Sequence, residues 1–176
     1  MSYLPNNQRT LFCQTTDKTV ANTASETSLI DGGVGSLVIQ ANTFKVGDTI
    51  RVFLQGYHSA VSNPTIRIRI KITGMGSVVL LDTGAVLTAN STNDLCELAA
   101  LLTIRSLGAT GSIIGHGYWQ ELGSGPNNFP MINTGAITFD STIDQTFDVT
   151  IEWGTASASN TITSTNVVIE LLRATA

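Results

Sequence analysis

His58 and His116 are the side chains of this sequence best suited to acid–base work or metal ligation near neutral pH. A zinc or iron site needs more donors than these two and the carboxylates offer at any recognised spacing. Each is therefore expected to be a strand histidine with a hydrogen-bonded ring. Asp140, Asp144 and Asp148 flank one turn and supply oxygens of the kind calcium takes, but the EF-hand pattern of loop glycine and bidentate glutamate is missing. Gly123-Ser124-Gly125 lacks the rest of a nucleophile elbow. Gly33-Val34-Gly35 and Gly74-Met75-Gly76 are followed by no helix, which makes them turn glycines rather than phosphate loops. Cys13 and Cys96 have no close spacing that suggests zinc or a redox pair, so both are expected as free thiols. The paired acids of glycoside cleavage are not recognisable. The expectation is no catalytic residue, no metal and no cofactor.

Aromatic rings are what remains. Tyr118-Trp119 puts one ring on each face of a strand, and Phe129 follows in the Gly123–Pro130 loop, so Tyr118, Trp119 and Phe129 are the candidate glycan contact. Trp153 alternates with apolar residues and reads as core.

Strands must position these groups. Pro64 to Thr73 alternates Ile66, Ile68, Ile70 and Ile72 against Arg67, Arg69 and Lys71, the period-two pattern of a strand with one face buried. A long strand over Asp48–Ser59 precedes it, joined to it as a hairpin by Ser62-Asn63-Pro64. Val78–Asp82 is a short apolar run that fits a strand covered on both faces. Asn93–Leu107 fits two periods: Leu95, Leu98, Ala99 and Leu102 form a helical stripe, while Cys96, Leu98, Ala100, Leu102 and Ile104 alternate. A strand is preferred because the segment runs on into Thr-Ile-Arg-Ser among similar strands. Glu26–Ile30, Leu37–Gln40, Ser112–Leu122, Ala136–Phe139, Gln145–Trp153 and Thr161–Leu172 complete about eight to ten strands. The buried set is expected to include Val52, Leu54, Ile68, Ile70, Leu102, Val149, Ile151 and Trp153.

At 176 residues the chain has room for one core. The fold class expected is all-β, a jelly-roll-like antiparallel β-sandwich over residues 20–176 with an extended N-terminal arm over residues 1–19. In that arm Leu11 and Phe12 are an apolar pair within a polar, Pro-containing stretch. Against the alternative of a disordered terminus, they are read as the anchor for attachment or inter-subunit docking.

Charged residues make up 12 % of the chain, against roughly 25 % in average soluble domains. Thr, Ser, Asn and Gly replace them, which suits sheets and subunit contacts with little charge to desolvate. A net charge of −4 and no basic arm argue against nucleic acid as a partner. No apolar run is long enough to span a membrane, and the N-terminus lacks a secretory signal, so assembly in a cytosol is expected.

Thr19–Ile30, Gly35–Arg51, Leu80–Val86, Glu97–Ala100, Gly108–Ser112 and Trp153–Thr163 resemble small virion-associated proteins and fibre-head domains of tailed bacteriophages, a likeness that covers roughly Val20 to Leu172. The resemblance implies a jelly-roll-like sandwich, often trimeric, displayed on a head or tail, and brings no catalytic residues. The function expected is a non-enzymatic capsid decoration or head-spike protein in the virion. Its partners would be itself, as a symmetric oligomer with a trimer foremost, and the major capsid protein or another virion protein. The alternative is a receptor- or carbohydrate-binding head of a tail fibre.

Overall fold

The computed structural model describes residues 8–33, 37–74, 76–123 and 127–174. Residues 1–7 of the expected arm, and the loop positions Gly35, Met75 and Ser124 to Pro126, lie outside the described residues. The fold is all-β. In chain order the strands are β1 (Gln8–Cys13), β2 (Lys18–Ala21), β3 (Thr27–Ser28), β4 (Val38–Ile39), β5 (Thr49–Ala60), β6 (Thr65–Thr73), β7 (Ser77–Asp82) and β8 (Val86–Leu87). Then follow β9 (Ser91–Ser106), β10 (Gly111–Glu121), β11 (Asn127–Ile132), β12 (Ile137–Phe139), β13 (Gln145–Trp153) and β14 (Thr161–Leu172). The excess over eight to ten comes from pieces of two to six residues that the alternation pattern is too short to mark, such as β2, β8 and β11.

Two antiparallel sheets form the sandwich. The eight-stranded sheet runs β1-β14-β5-β9-β10-β11, with β2 also on β14 and β12 also on β10. The six-stranded sheet runs β3-β13-β6-β7, with β4 on β13 and β8 on β6. Their inner faces meet in one core. Ile66, Ile68, Ile70 and Ile72 of β6 and Val149, Ile151 and Trp153 of β13 are buried, as are Val52 and Leu54 of β5 and Leu102 of β9. All eight of the expected core residues are buried. β9 is a strand because it has a partner on each side: Leu98 lies opposite Leu54 on β5 and Trp119 on β10, and a helix could make neither ladder.

Four expectations are corrected. β5 and β6 do not form a hairpin: β5 pairs β14 and β9, whereas β6 pairs β13, β7 and β8. The Ser62-Asn63 turn, with φ of 63° and 47°, instead carries the chain from one sheet to the other. Asn63 and Asn90 brace it, each side-chain carbonyl accepting from the other's backbone N–H at 2.9 and 3.2 Å.

β7 is not covered on both faces, since Val79 is 37 % exposed. Its consecutive buried pair, Leu80 and Leu81, comes from a bulge: Ile70 faces Leu81 and Lys71 faces Val79, leaving Leu80 as the extra residue.

The described part of the arm is not free. β1 pairs with β14, Arg9 opposite Leu171 and Phe12 opposite Ile169, and Leu11 and Phe12 are half-buried against this chain's own core. A strand edge on β14 with unpaired backbone groups is satisfied best by the nearest extended segment, and that segment belongs to the same chain.

The loop expected over Gly123–Pro130 is shorter than its composition suggests, because β11 begins at Asn127 and pairs with β10. Pro130 is tolerated there because β11 is the last strand in its row.

Candidate functional site

On strands, residues two apart share a face, so burying Leu98, Ala100 and Leu102 of β9 turns Leu95, Glu97, Ala99 and Leu101 outward. The same parity turns Phe53 outward on β5, Tyr118 on β10 and Ile132 on β11. These side chains meet on the outer face of the eight-stranded sheet. They line a groove of ≈ 530 Å³ in which the small Ala99 leaves room between Phe53, Leu101, Tyr118 and Ile132. Leu101 is 51 % and Ile132 59 % exposed.

Arg51 and Glu170 on this face answer each other within the chain. Arg51 donates through Nε to Glu170 at 2.7 Å and through its terminal nitrogen to the same oxygen, and Gln8 donates to the other oxygen of Glu170. The Tyr118 hydroxyl donates to Glu97 at 3.0 Å, and that hydrogen bond, with burial, raises the phenol above its ordinary range. The face can bury against a surface at low desolvation cost; it offers no activated nucleophile.

A second centre lies inside. His58 sits on the inner face of β5 between Gly56 and Ala60, 1 % exposed, with Nε2 3.1 Å from the Thr88 hydroxyl and 3.7 Å from Glu121 Oε1 on β10. Its Nδ1, Glu121 Oε1 and the Ser91 hydroxyl have no hydrogen-bond partner among the described residues. His58 is thus a strand histidine as expected, with its ring hydrogen-bonded at Nε2 alone. Cys96 lies opposite Glu121 in the ladder, and burial together with the Glu121 charge pushes its thiol far up, which makes it inert. Both cysteines are free. His116 is exposed, its Nε2 3.3 Å from the Asn133 carbonyl. No group of three or more metal-ligating side chains occurs among the described residues.

The third arrangement covers the outer face of the six-stranded sheet. Arg67 meets Asp82, Arg69 meets Glu26 at 3.2 Å and Glu152 at 2.8 Å, and Lys71 meets Glu26 at 3.0 Å. Burial alone would raise the Asp82 carboxyl, but hydrogen bonds from Arg67 and the Gly84 N–H outweigh it and hold the group low. Asp148, buried beside Ser28, goes the other way: burial raises it more than the Ser28 hydroxyl, at 2.6 Å, lowers it. Every base of the Ile/Arg strand has an acid partner, so the strand does not present a free cationic stripe to phosphate.

The expected glycan contact does not assemble. Trp119 is 0 % exposed and Phe129, its ladder partner, is half-buried against the core, while Tyr118 stands on the opposite face. Asp140, Asp144 and Asp148 are likewise dispersed: they accept from Thr142, the Ala41 N–H and Ser28 respectively. Sequence reasoning missed the pairing of His58 with Thr88 and Glu121, which are far apart along the chain. It also missed the outer groove, although a signal was present: the run Leu98-Ala-Ala-Leu-Leu102 is apolar at every position and so must present apolar groups on both faces.

No protein-family model matches this chain, and no curated protein matches it closely enough to serve as a relative.

Proposed function

We propose that the chain is a non-enzymatic virion structural protein, a capsid decoration or head-spike subunit that assembles as a symmetric oligomer, a trimer foremost, on a phage particle. The observation that carries the assembly role is the outer face of the eight-stranded sheet, whose apolar side chains are left uncovered among the described residues. The strand orders support the setting. Edge strands β1 and β2, then β14, β5 and β9 in one sheet, against β3, β13, β6 and β7 in the other, interleave early and late segments as jelly-roll subunits do. The resemblance to phage virion proteins supplies the particle, with the major capsid protein or another virion protein as the partner. The His58–Glu121 centre supports the non-enzymatic half of the reading, because both groups are shut away from any substrate.

The carbohydrate-binding alternative loses its main residue with the burial of Trp119. Binding on a glycan array that Tyr118→Ala abolishes would revive it. The test of the leading reading is imaging of intact virions carrying labelled protein, together with mass photometry of the isolated chain. Regularly spaced copies on the particle are expected, and protein absent from purified virions would overturn the reading.

A further inference from the structure

We infer that the outer face of the eight-stranded sheet, centred on Leu101 and Tyr118, is where a second copy of this chain packs. The inference rests on the assembly half of the proposed function and adds the surface that performs it.

Size is the first argument. The row β14-β5-β9-β10-β11 presents five strands spaced about 4.8 Å apart, four of them 11 to 16 residues long at about 3.3 Å each and β11 6 residues long. The face therefore measures roughly 24 Å by 36 Å and narrows at β11, on the order of 800 Å², the area that each partner buries in a stable interface. A single short peptide or small ligand would cover a fraction of it.

Shape points to a copy of the same chain. A face that meets itself must carry its own knobs and its own holes. Here Phe53, Leu101 and Ile132 stand beside the hollow over Ala99, so projection and recess lie on one surface.

Charge points the same way. The outward positions of these strands hold two arginines, Arg51 and Arg105, and two glutamates, Glu97 and Glu170. The chain as a whole carries −4; this face carries none of that excess. Two copies brought together here meet no net repulsion, and Arg51 and Glu170 already neutralise each other. By contrast, the outer face of the six-stranded sheet is covered by its own ion pairs, which would have to be desolvated to enter a contact.

The test uses the full chain. Sedimentation velocity or mass photometry of the wild type over a wide concentration range is expected to show an oligomer. Leu101→Glu and Ile132→Glu, each placing a charge on an exposed position outside the core, are expected to shift that oligomer to monomer by at least tenfold in dissociation constant, with unchanged far-UV circular dichroism. Val79→Glu, on the other sheet, is expected to leave the oligomer intact. Hydroxyl-radical footprinting of the unmutated protein provides an independent reading, with Leu101, Tyr118 and Ile132 protected at high concentration and reactive on dilution. An oligomer that survives both charge variants, or that protects Val79 instead, would overturn the surface and leave the assembly reading standing. A wild type that is monomeric throughout would overturn both. An oligomer dissociated by Leu101→Glu in a protein absent from virions would keep the surface and sink only the virion role.

Discussion

His58 and Glu121 stand on strands separated by β9, yet their side chains converge in the core with Nε2 and Oε1 3.7 Å apart and 1 % and 4 % exposed. Both are shut away from bulk solvent, and the Glu121 carboxyl is the acidic group that faces the His58 ring. Removing one member leaves the other buried with Thr88 alone, for His58, or Asn127 alone, for Glu121, and depriving a buried polar group of a partner typically costs about 1–3 kcal/mol. His58→Leu and Glu121→Leu are each expected to lose about 2 kcal/mol in urea unfolding. The double variant is expected to recover most of that loss, since an apolar pair needs no partners. Additive losses in the double-mutant cycle would show that the two groups are not coupled.

Two carboxylates of the six-stranded sheet should respond to pH with opposite signs. Asp82 is held below its ordinary value of 3.8 by Arg67 and the Gly84 N–H once burial has been overcome. The unfolded chain therefore binds its proton first as pH falls, and Asp82 contributes stability that is full above the unfolded value and lost as pH drops through the folded one. Asp82→Asn should cost up to about 1 kcal/mol at pH 7 and nothing at strongly acidic pH.

Asp148 is raised above 3.8, chiefly by burial. The folded state now holds the proton more tightly, so stability falls as pH rises from the unfolded value through the folded one. Asp148→Asn, which keeps an oxygen for the Ser28 hydroxyl, should stabilise the protein at pH 7, with the gain disappearing below about pH 4. Thermal unfolding of both variants from pH 3 to 7 checks the pair of signs, and parallel curves for the two would contradict the assignment.

Gly56 lies where β5 passes β14 beside a register shift between Ser164 and Asn166. A Cβ there would come 2.0 Å from the Thr163 carbonyl oxygen, a backbone atom that cannot step aside without breaking the ladder. Gly56→Ala is expected to lower stability by about 2–3 kcal/mol, at the upper end of overpacking costs. Gly33→Ala meets no neighbour and pays only for its positive φ of 73°, so it should cost about 1 kcal/mol. Equal losses at the two sites would show that the β5–β14 approach is looser than the geometry requires.

Phe12 packs against the core from β1 while its backbone pairs with Ile169. Half-burial of a ring of this size contributes about 1–2 kcal/mol. Phe12→Ala should lose about that much stability, and deletion through Cys13 should do worse, exposing the Val168–Leu172 edge and promoting aggregation on heating. A truncated chain as stable and soluble as the full one would mean that β1 is dispensable to the sandwich.

Alternation over β5, β6, β9 and β13 determined the class and most of the core, because side-chain direction on a strand depends on parity alone and needs no knowledge of neighbours. That is why Ile70, Val149 and Trp153 were legible as buried. Partnership was not legible. Whether β6 pairs β5 or β13, whether β1 is an arm or an edge strand, and which face Trp119 takes are all decided by which strands lie side by side, and parity is blind to that. The bulge that buries both Leu80 and Leu81 has no sequence marker for the same reason. The His58–Glu121 centre and the groove at Leu101 belong to this second category: each is made by residues from strands distant in sequence, brought together when the eight-stranded sheet places β9 between β5 and β10.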